Sequence, residues 1–404
     1  MFLLSSCSLL LLDEITSYTG RFNRTDKVLV LVDDAVFPVL EDALVEYASD
    51  LAVEKVDVTV EQWTAGTAAD LRSLLAARHH DQGIDGAFLV GDLPAAWYAM
   101  TSEFRYEEFP CDLYLMDPDS VWTDANHDGR LDAHSPLRLS LYVSRLRGTA
   151  GELAAYFRKL HDYRTGASRL PPRAYIFKDD DWFAFRPGSN FGLGLLYGAT
   201  DIDETVGRTV KPHYLDTLTA DGYEFVYQWI HSYPSALCVK EAGLFKTITV
   251  WDVAAFNLKG HFYNLYDCSA ARFTERNLGM TYLAKTDSAL AVFGSTKVGG
   301  CYYPLVFYQV LAQGGTWGDA YLNWYNYYGR RNDSWNLGMV ILGDPTLTPT
   351  SAGPAYRFID LSLPAEPDGE AIRRLEETGY DFQSDRDLTG FDAYREAHPE
   401  FFPP

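Results

Sequence analysis

The chain is predicted to be an α/β protein built from two units with mostly parallel sheets. Three observations point there. Strand-like and helix-like patterns alternate from Lys27 onward, the rhythm of a parallel sheet with crossover helices. Most strand-like runs are continuously apolar, as strands covered on both faces are. The 404 residues, 47% hydrophobic and 15% aromatic, supply material for more than one core at roughly 150 residues per domain.

The elements follow in order. "KVLVLVDD" reads as a buried strand, and "PVLEDALVEYASDLA" has helical spacing with Pro38 near its start. "VDVTVEQW" alternates like a strand. "TAADLRSLLAARHH" is helical, with Thr67 as its N-cap. "IDGAFLVGDLP" is another buried strand ending in a Gly-Asp turn. A loop-rich insert runs from about Tyr98 to His134. "LRLSLYVSRLRG" is then a strand and "AGELAAYFRKLHDYRTG" a helix. The prolines of "ASRLPPR" mark a boundary.

The second unit opens with the strand "RAYIFKDDDW". "YEFVYQWIHS" is a strand ending at His231, and "HFYNLYDC" one ending at Cys268. "TERNLGMTYLAKT" is helical, and "SALAVFGSTKVGG" is a buried strand running into glycines. The stretch from Tyr302 to Gly329 is a helix broken at Gly314-Gly315; its aromatic end reads as core and amphipathic rim. "NLGMVILGDPTLTP" is a last strand and turn. The chain thus divides into an N-terminal segment (1–25), a first unit (26–170), a second unit (171–350) and an acidic tail (351–404).

Composition excludes several function classes. The net charge of -22 repels phosphate backbones, so nucleic acid is not the expected partner. No phosphate-binding glycine fingerprint follows a strand, which argues against a nucleotide enzyme. The five cysteines are odd in number and form no C-x-x-C pair, so neither a zinc site nor a dense disulfide framework is expected. "MFLLSSCSLLLLDE" is too short to span a bilayer, and no integral membrane domain is expected. It reads as the remnant of a secretory signal, and "LSSC" looks like a lipobox ending at Cys7. Export to the envelope or the outside is the expected localisation.

The chemistry centres on His231 and Cys268. Each stands at the carboxyl end of a predicted buried strand, the edge where active sites of open α/β sheets collect. A cysteine nucleophile needs a base or a cation nearby. The 37 residues between them suit a strand, a crossover and a second strand. His261 is excluded as the base, because seven extended residues put it roughly 23 Å from Cys268 at about 3.3 Å each. Cys238, expected in a Pro-containing loop, and Cys301, after two glycines, are rival thiols. A small buried cysteine without a chemical role is the plainer alternative.

Taken together, "FLVGDLP", "CDLYLMDPDSVWTDANHDG", "VSRLRGTAGELAAYFRKLHDYRTG", the His-ended strand, "DCSAARF", "ALAVFGSTK" and "LGDPTL" resemble, in order, the gingipain-like cysteine peptidases of the caspase-like group. The resemblance covers Lys27 to Thr348. It implies two stacked caspase-like three-layer α/β/α subdomains with mostly parallel sheets, the chemistry being in the second. It implies a cysteine endopeptidase acting on a protein or peptide substrate, without an organic cofactor. By that pattern Cys268 attacks the scissile carbonyl and His231 manages the leaving-group proton. The backbone N–H groups of Cys268 and Ser232 hold the oxyanion.

Two features depart from the family. It usually carries glycine on both sides of the histidine, where this chain has Ile230 and Ser232. No third carboxylate is securely matched to orient His231; Asp179, Asp180 and Asp181 form a candidate cluster at a strand end, with a solvated acidic loop as the plainer reading. The departures motivate an alternative function, an inactive relative serving as a calcium-stabilised binding module at the envelope.

Calcium is expected at "DANHDGRLD". Asp124, Asn126 and Asp128 stand at positions 1, 3 and 5, Gly129 follows, and Arg130 and Asp132 hold positions 7 and 9. Hard oxygen donors with a glycine for the turn open a calcium loop. Position 12 is Ser135, so this is not a complete EF-hand; Asp117 and Asp119 could complete the coordination. The related peptidases also carry calcium in this region. A polar turn without a metal is the plainer alternative.

Overall fold

The structure, a computed structural model, describes residues 26–102, 105–220, 222–241 and 243–350. The expected signal remnant and lipobox at Cys7, and the acidic tail, lie outside the described residues. The first unit opens β1 (Lys27–Asp33), α1 (Phe37–Val53), β2 (Asp57–Trp63), α2 (Ala68–Gln82) and β3 (Gly86–Val90). Local signals explain these starts. Pro38 lies in the first turn of α1. Thr67 and Asp70 form a reciprocal capping box on α2. The insert is more regular than expected. It holds a hairpin of β4 (Trp97–Thr101) and β5 (Tyr106–Pro110), a short α3 (Leu113–Met116), and the small pair β6 (Trp122–Thr123) and β7 (Ala133–His134). Next come β8 (Tyr142–Leu146) and α4 (Ala150–Thr165).

The second unit holds β9 (Ala174–Lys178), β10 (Thr200–Asp203), α5 (Lys211–Thr219) and β11 (Tyr223–Trp229). A small antiparallel meander follows: β12 (His231–Tyr233), β13 (Ala236–Glu241) and β14 (Leu244–Thr249). The chain continues through α6 (Val250–Phe256), β15 (Gly260–Tyr266), α7 (Leu278–Lys285), β16 (Ala291–Ser295), α8 (Leu305–Ala312), α9 (Trp317–Tyr327), α10 (Asp333–Asn336) and β17 (Met339–Gly343).

The α/β class is as the sequence predicts, but the two units are not separate sheets. One ten-stranded sheet runs through both, in the order β10-β9-β11-β15-β16-β17-β8-β3-β1-β2. The junction is β17, parallel to β8 and antiparallel to β16; every other neighbouring pair in this sheet is parallel. The strands of the first unit, together with β17, therefore run opposite to the other sheet strands of the second unit. The carboxyl ends of β11 and β15 lie at the opposite sheet edge from those of β1 and β3. One hydrophobic core, rich in aromatics from both units, spans the sheet. No helix among the described residues is long and apolar enough to cross a membrane.

Candidate active site

The site is built at the carboxyl edge of β9, β11 and β15. β11 and β15 are fully buried parallel neighbours, and Trp229 pairs with Tyr266 at their ends. That 37-residue offset is also the offset between His231 and Cys268, two residues further on. Two contacts hold the strand ends in this register. Asp267 Oδ1 accepts the Ile230 N–H at 3.1 Å, and Ser232 Oγ donates to the Cys268 carbonyl oxygen at 2.7 Å. The Gln228 side-chain amide donates to the other Asp267 oxygen. Burial, first of all, pushes the Asp267 carboxyl well above the carboxylate range, against these two donors.

His231 opens β12 rather than closing β11, and its ring is largely covered. Trp182 lies against it, with ring centroids 4.5 Å apart, and Asp181 Oδ2 stands 3.0 Å from Nε2. Lys240 of β13 donates to the other Asp181 oxygen at 2.6 Å. Burial alone would raise the Asp181 carboxyl, but the His231 and then the Lys240 interactions hold it below its ordinary value.

The acidic run after β9 is thus not a solvated loop. Asp179 is buried and accepts the Lys240 N–H, Asp180 accepts from Thr209 Oγ1 at 2.7 Å, and Asp181 meets His231. The reason is topological: β9 is the neighbour of β11, so residues following Lys178 arrive beside those following Trp229. A charged run directly after a buried strand was the available signal; which strand lay next to it was not in the local pattern.

Of the four cysteines among the described residues, all free thiols, Cys268 alone keeps partial exposure. Burial, above all, pushes its thiol up to about 11. The Gly299 N–H counters this, Glu107 and Asp267 add to it, and Lys297 counters it. Ser269, the next residue, takes a positive φ of 58°, a sparsely allowed turn for a residue with a side chain. Its N–H donates to Lys297 O at 2.8 Å. Gly299 and Gly300 bring the turn after β16 close to the end of β15. Gly299 has φ +123°, and a Cβ on Gly300 would lie 2.7 Å from Tyr266 Cα.

The rival groups sit elsewhere. Cys238 is not in a loop but in β13, fully buried and opposite His231 in register; burial, then Asp179 and Cys268, push its thiol far up. Cys301 and Cys111 are buried. His261 lies near the start of β15, with Nδ1 2.7 Å from Ser288 O and Nε2 accepting the Leu170 N–H. Ile230 is a core side chain with 1% exposure.

The insert turn folds on itself. Asp124 accepts the N–H groups of Asp128 and Gly129, Asn126 Oδ1 that of Asp128, Asp128 that of Arg130, and Asp132 that of Ala125. Asp117 is buried and accepts the Arg138 N–H, while Asp119 is exposed. Among the described residues no three His, Cys, Asp or Glu side chains are gathered as for a metal ion. The donor set itself, three carboxylates and an amide oxygen on one exposed turn, is chemically suited to a hard cation.

No protein-family model matches this chain, and no curated protein matches it.

Proposed function

We propose that the chain is a cysteine-type endopeptidase in which Cys268 is the nucleophile, His231 the base and Asp181 the group that orients His231. The observation that carries this reading is the arrival at one sheet edge of a partly exposed thiol and a carboxylate-paired imidazole, each two residues beyond the end of a register-matched strand. The thiol rests protonated, since burial pushes it up to about 11. His231 therefore takes the thiol proton as sulfur attacks the peptide carbonyl. The sulfur–carbon bond forms, and the oxyanion is met by backbone N–H groups of Cys268 and Ser232; such a donor is worth about 3–4 kcal/mol. His231 then gives the proton to the departing amine, leaving a thioester. Water, deprotonated by His231, hydrolyses it and restores the thiol. The protein is read as secreted or envelope-bound.

Calcium belongs to the same reading as a structural ion. Asp124, Asn126, Asp128 and Asp132, with Arg130 between them, would hold it; Asp117 is already committed to Arg138. When bound, the ion neutralises clustered carboxylates on an exposed turn.

The test is hydrolysis of an internally quenched peptide library by the full chain, with and without calcium. The expected result is cleavage by wild type and a loss of about 10³-fold or more in Cys268→Ala and His231→Ala. Absence of cleavage under both conditions, or equal cleavage by Cys268→Ala, overturns the reading. One observation favours a second reading, a non-catalytic binding module: a thiol pushed up by burial is also what an inert cysteine shows.

A further inference from the structure

Beside Cys268 lies a buried ion pair with one partner from each unit. Glu107 comes from β5 of the insert, and Lys297 follows β16. Their side chains are 2% and 0% exposed, with Nζ 3.9 Å from Oε2. Buried charges persist when paired and tied by hydrogen bonds, and both are tied to one turn. The Val298 N–H donates to Glu107 Oε1 at 3.1 Å. Lys297 Nζ donates to Val298 O at 2.7 Å and more distantly to Trp335 O. Lys297 O accepts the Ser269 N–H, next to the thiol. Glu107 Oε2 has no hydrogen-bond partner, so its charge is balanced across space by Lys297.

We propose that Glu107 and Lys297 are the positioning pair of the Cys268 thiol, holding the turn that carries Gly299 against the sulfur and presenting it with one charge of each sign. The proposal rests on the reading of Cys268 as the nucleophile. Lys297 favours the thiolate and Glu107 opposes it. Besides His231, the proposed base, the other groups facing this centre are Asp267 at the end of β15, Cys238 of β13, and Arg272, which itself faces Glu107 and Glu275. Arg105 lies 3.7 Å from Glu107 Oε1. Asp181 and Lys240 act on His231 instead.

The experiment is the pH dependence of Cys268 alkylation by iodoacetamide, read by peptide mapping on the full chain. Wild type, Glu107→Gln, Lys297→Met and the double variant are compared. Glu107→Gln keeps an acceptor for the Val298 N–H and removes only the charge. Its midpoint is expected to move down, with alkylation at pH 8 several-fold faster, each pH unit being about ten-fold in thiolate. Lys297→Met is expected to move it up and slow the reaction, and the double variant to return near wild type. Shifts of the same sign in both single variants, or no shift, overturn the proposal. If Lys297→Met fails to fold, Glu107→Gln decides alone, and an unchanged or slower rate overturns it. The readout needs no substrate. Opposite shifts in a protein that cleaves no peptide would therefore sink the peptidase reading and leave the pair standing.

Discussion

His231 Nε2 lies 3.0 Å from Asp181 Oδ2, so in the neutral imidazole Nε2 carries the proton and Nδ1 the lone pair. The carboxylate that sets this tautomer is itself set by Lys240 at 2.6 Å. The chain Lys240–Asp181–His231 couples the small meander to the end of β9, and it gives the base a fixed orientation rather than a free ring.

Asp181→Asn keeps the shape and removes the charge. We expect kcat on a cleaved peptide to fall by about 10²- to 10⁴-fold, with KM little changed. The same substitution has a signed pH signature. The folded-state carboxyl is held below its ordinary 3.8, so its stabilising contribution is complete above that range and is lost as pH falls through the lower folded value. Urea unfolding should show wild type more stable than Asp181→Asn at pH 6, with the gap closing on acidification below about pH 4. A gap that widens in acid would contradict the pairing.

The residues flanking His231 are explained by packing. Ile230 is buried and its N–H is taken by Asp267, and the Ser232 hydroxyl is turned onto the Cys268 carbonyl. Ile230→Gly should therefore cost roughly 3–5 kcal/mol as a core truncation with added backbone freedom. Ser232→Ala should cost about 1 kcal/mol, the net value of one hydrogen bond, and leave kcat/KM within about three-fold. A large gain of activity in Ser232→Ala would mean that the hydroxyl obstructs substrate instead.

Lys159 offers a stability test away from the site. Its Nζ donates to the carbonyls of Leu283, Thr286 and Ala289 around the end of α7. Burial pulls its pKa down to about 7. Between that value and the ordinary 10.5 the unfolded chain binds the extra proton, so this residue makes stability rise with pH across the window. The slope is at most about 1.4 kcal/mol per pH unit. Lys159→Met should remove that slope in urea titrations from pH 7 to 10. An unchanged slope in the variant would assign it to other groups.

Much of this fold was legible because its signals are local. Buried runs such as "KVLVLVDD" and "SALAVFGSTKVGG" read as covered strands, and Thr67 reads as the N-cap of α2. What stayed hidden depends on which strands become neighbours. The pairing of Ser144 with Ile341 merges two expected units into one sheet, and nothing near either residue encodes it. Asp181 could be matched to His231 only by knowing that β9 borders β11. The meander β12–β14 carries polar residues and no sustained period, which hides its strands in the sequence and makes Cys238 read as a loop residue. Glu107 lies in an insert whose hairpin has no turn signal in the sequence, and the following Glu108 pairs with Arg130 of the acidic turn at 3.0 Å.

That pairing leads to the calcium prediction. Arg130 belongs to the acidic turn and also covers Trp97, so the turn is seated on the β4–β5 hairpin that carries Glu107 inward. With calcium bound, the turn's carboxylates would be neutralised and the seat tightened. The expected result is a higher Tm in calcium than in chelator, by several degrees at saturating ion. Asp124→Ala combined with Asp128→Ala should abolish the difference. These two side chains also accept the N–H groups of residues 128, 129 and 130. Some loss of Tm in chelator is therefore expected from the substitution alone, and only the calcium-dependent part reports the ion. If calcium leaves the wild-type Tm unmoved, the turn is held by those internal hydrogen bonds and needs no metal.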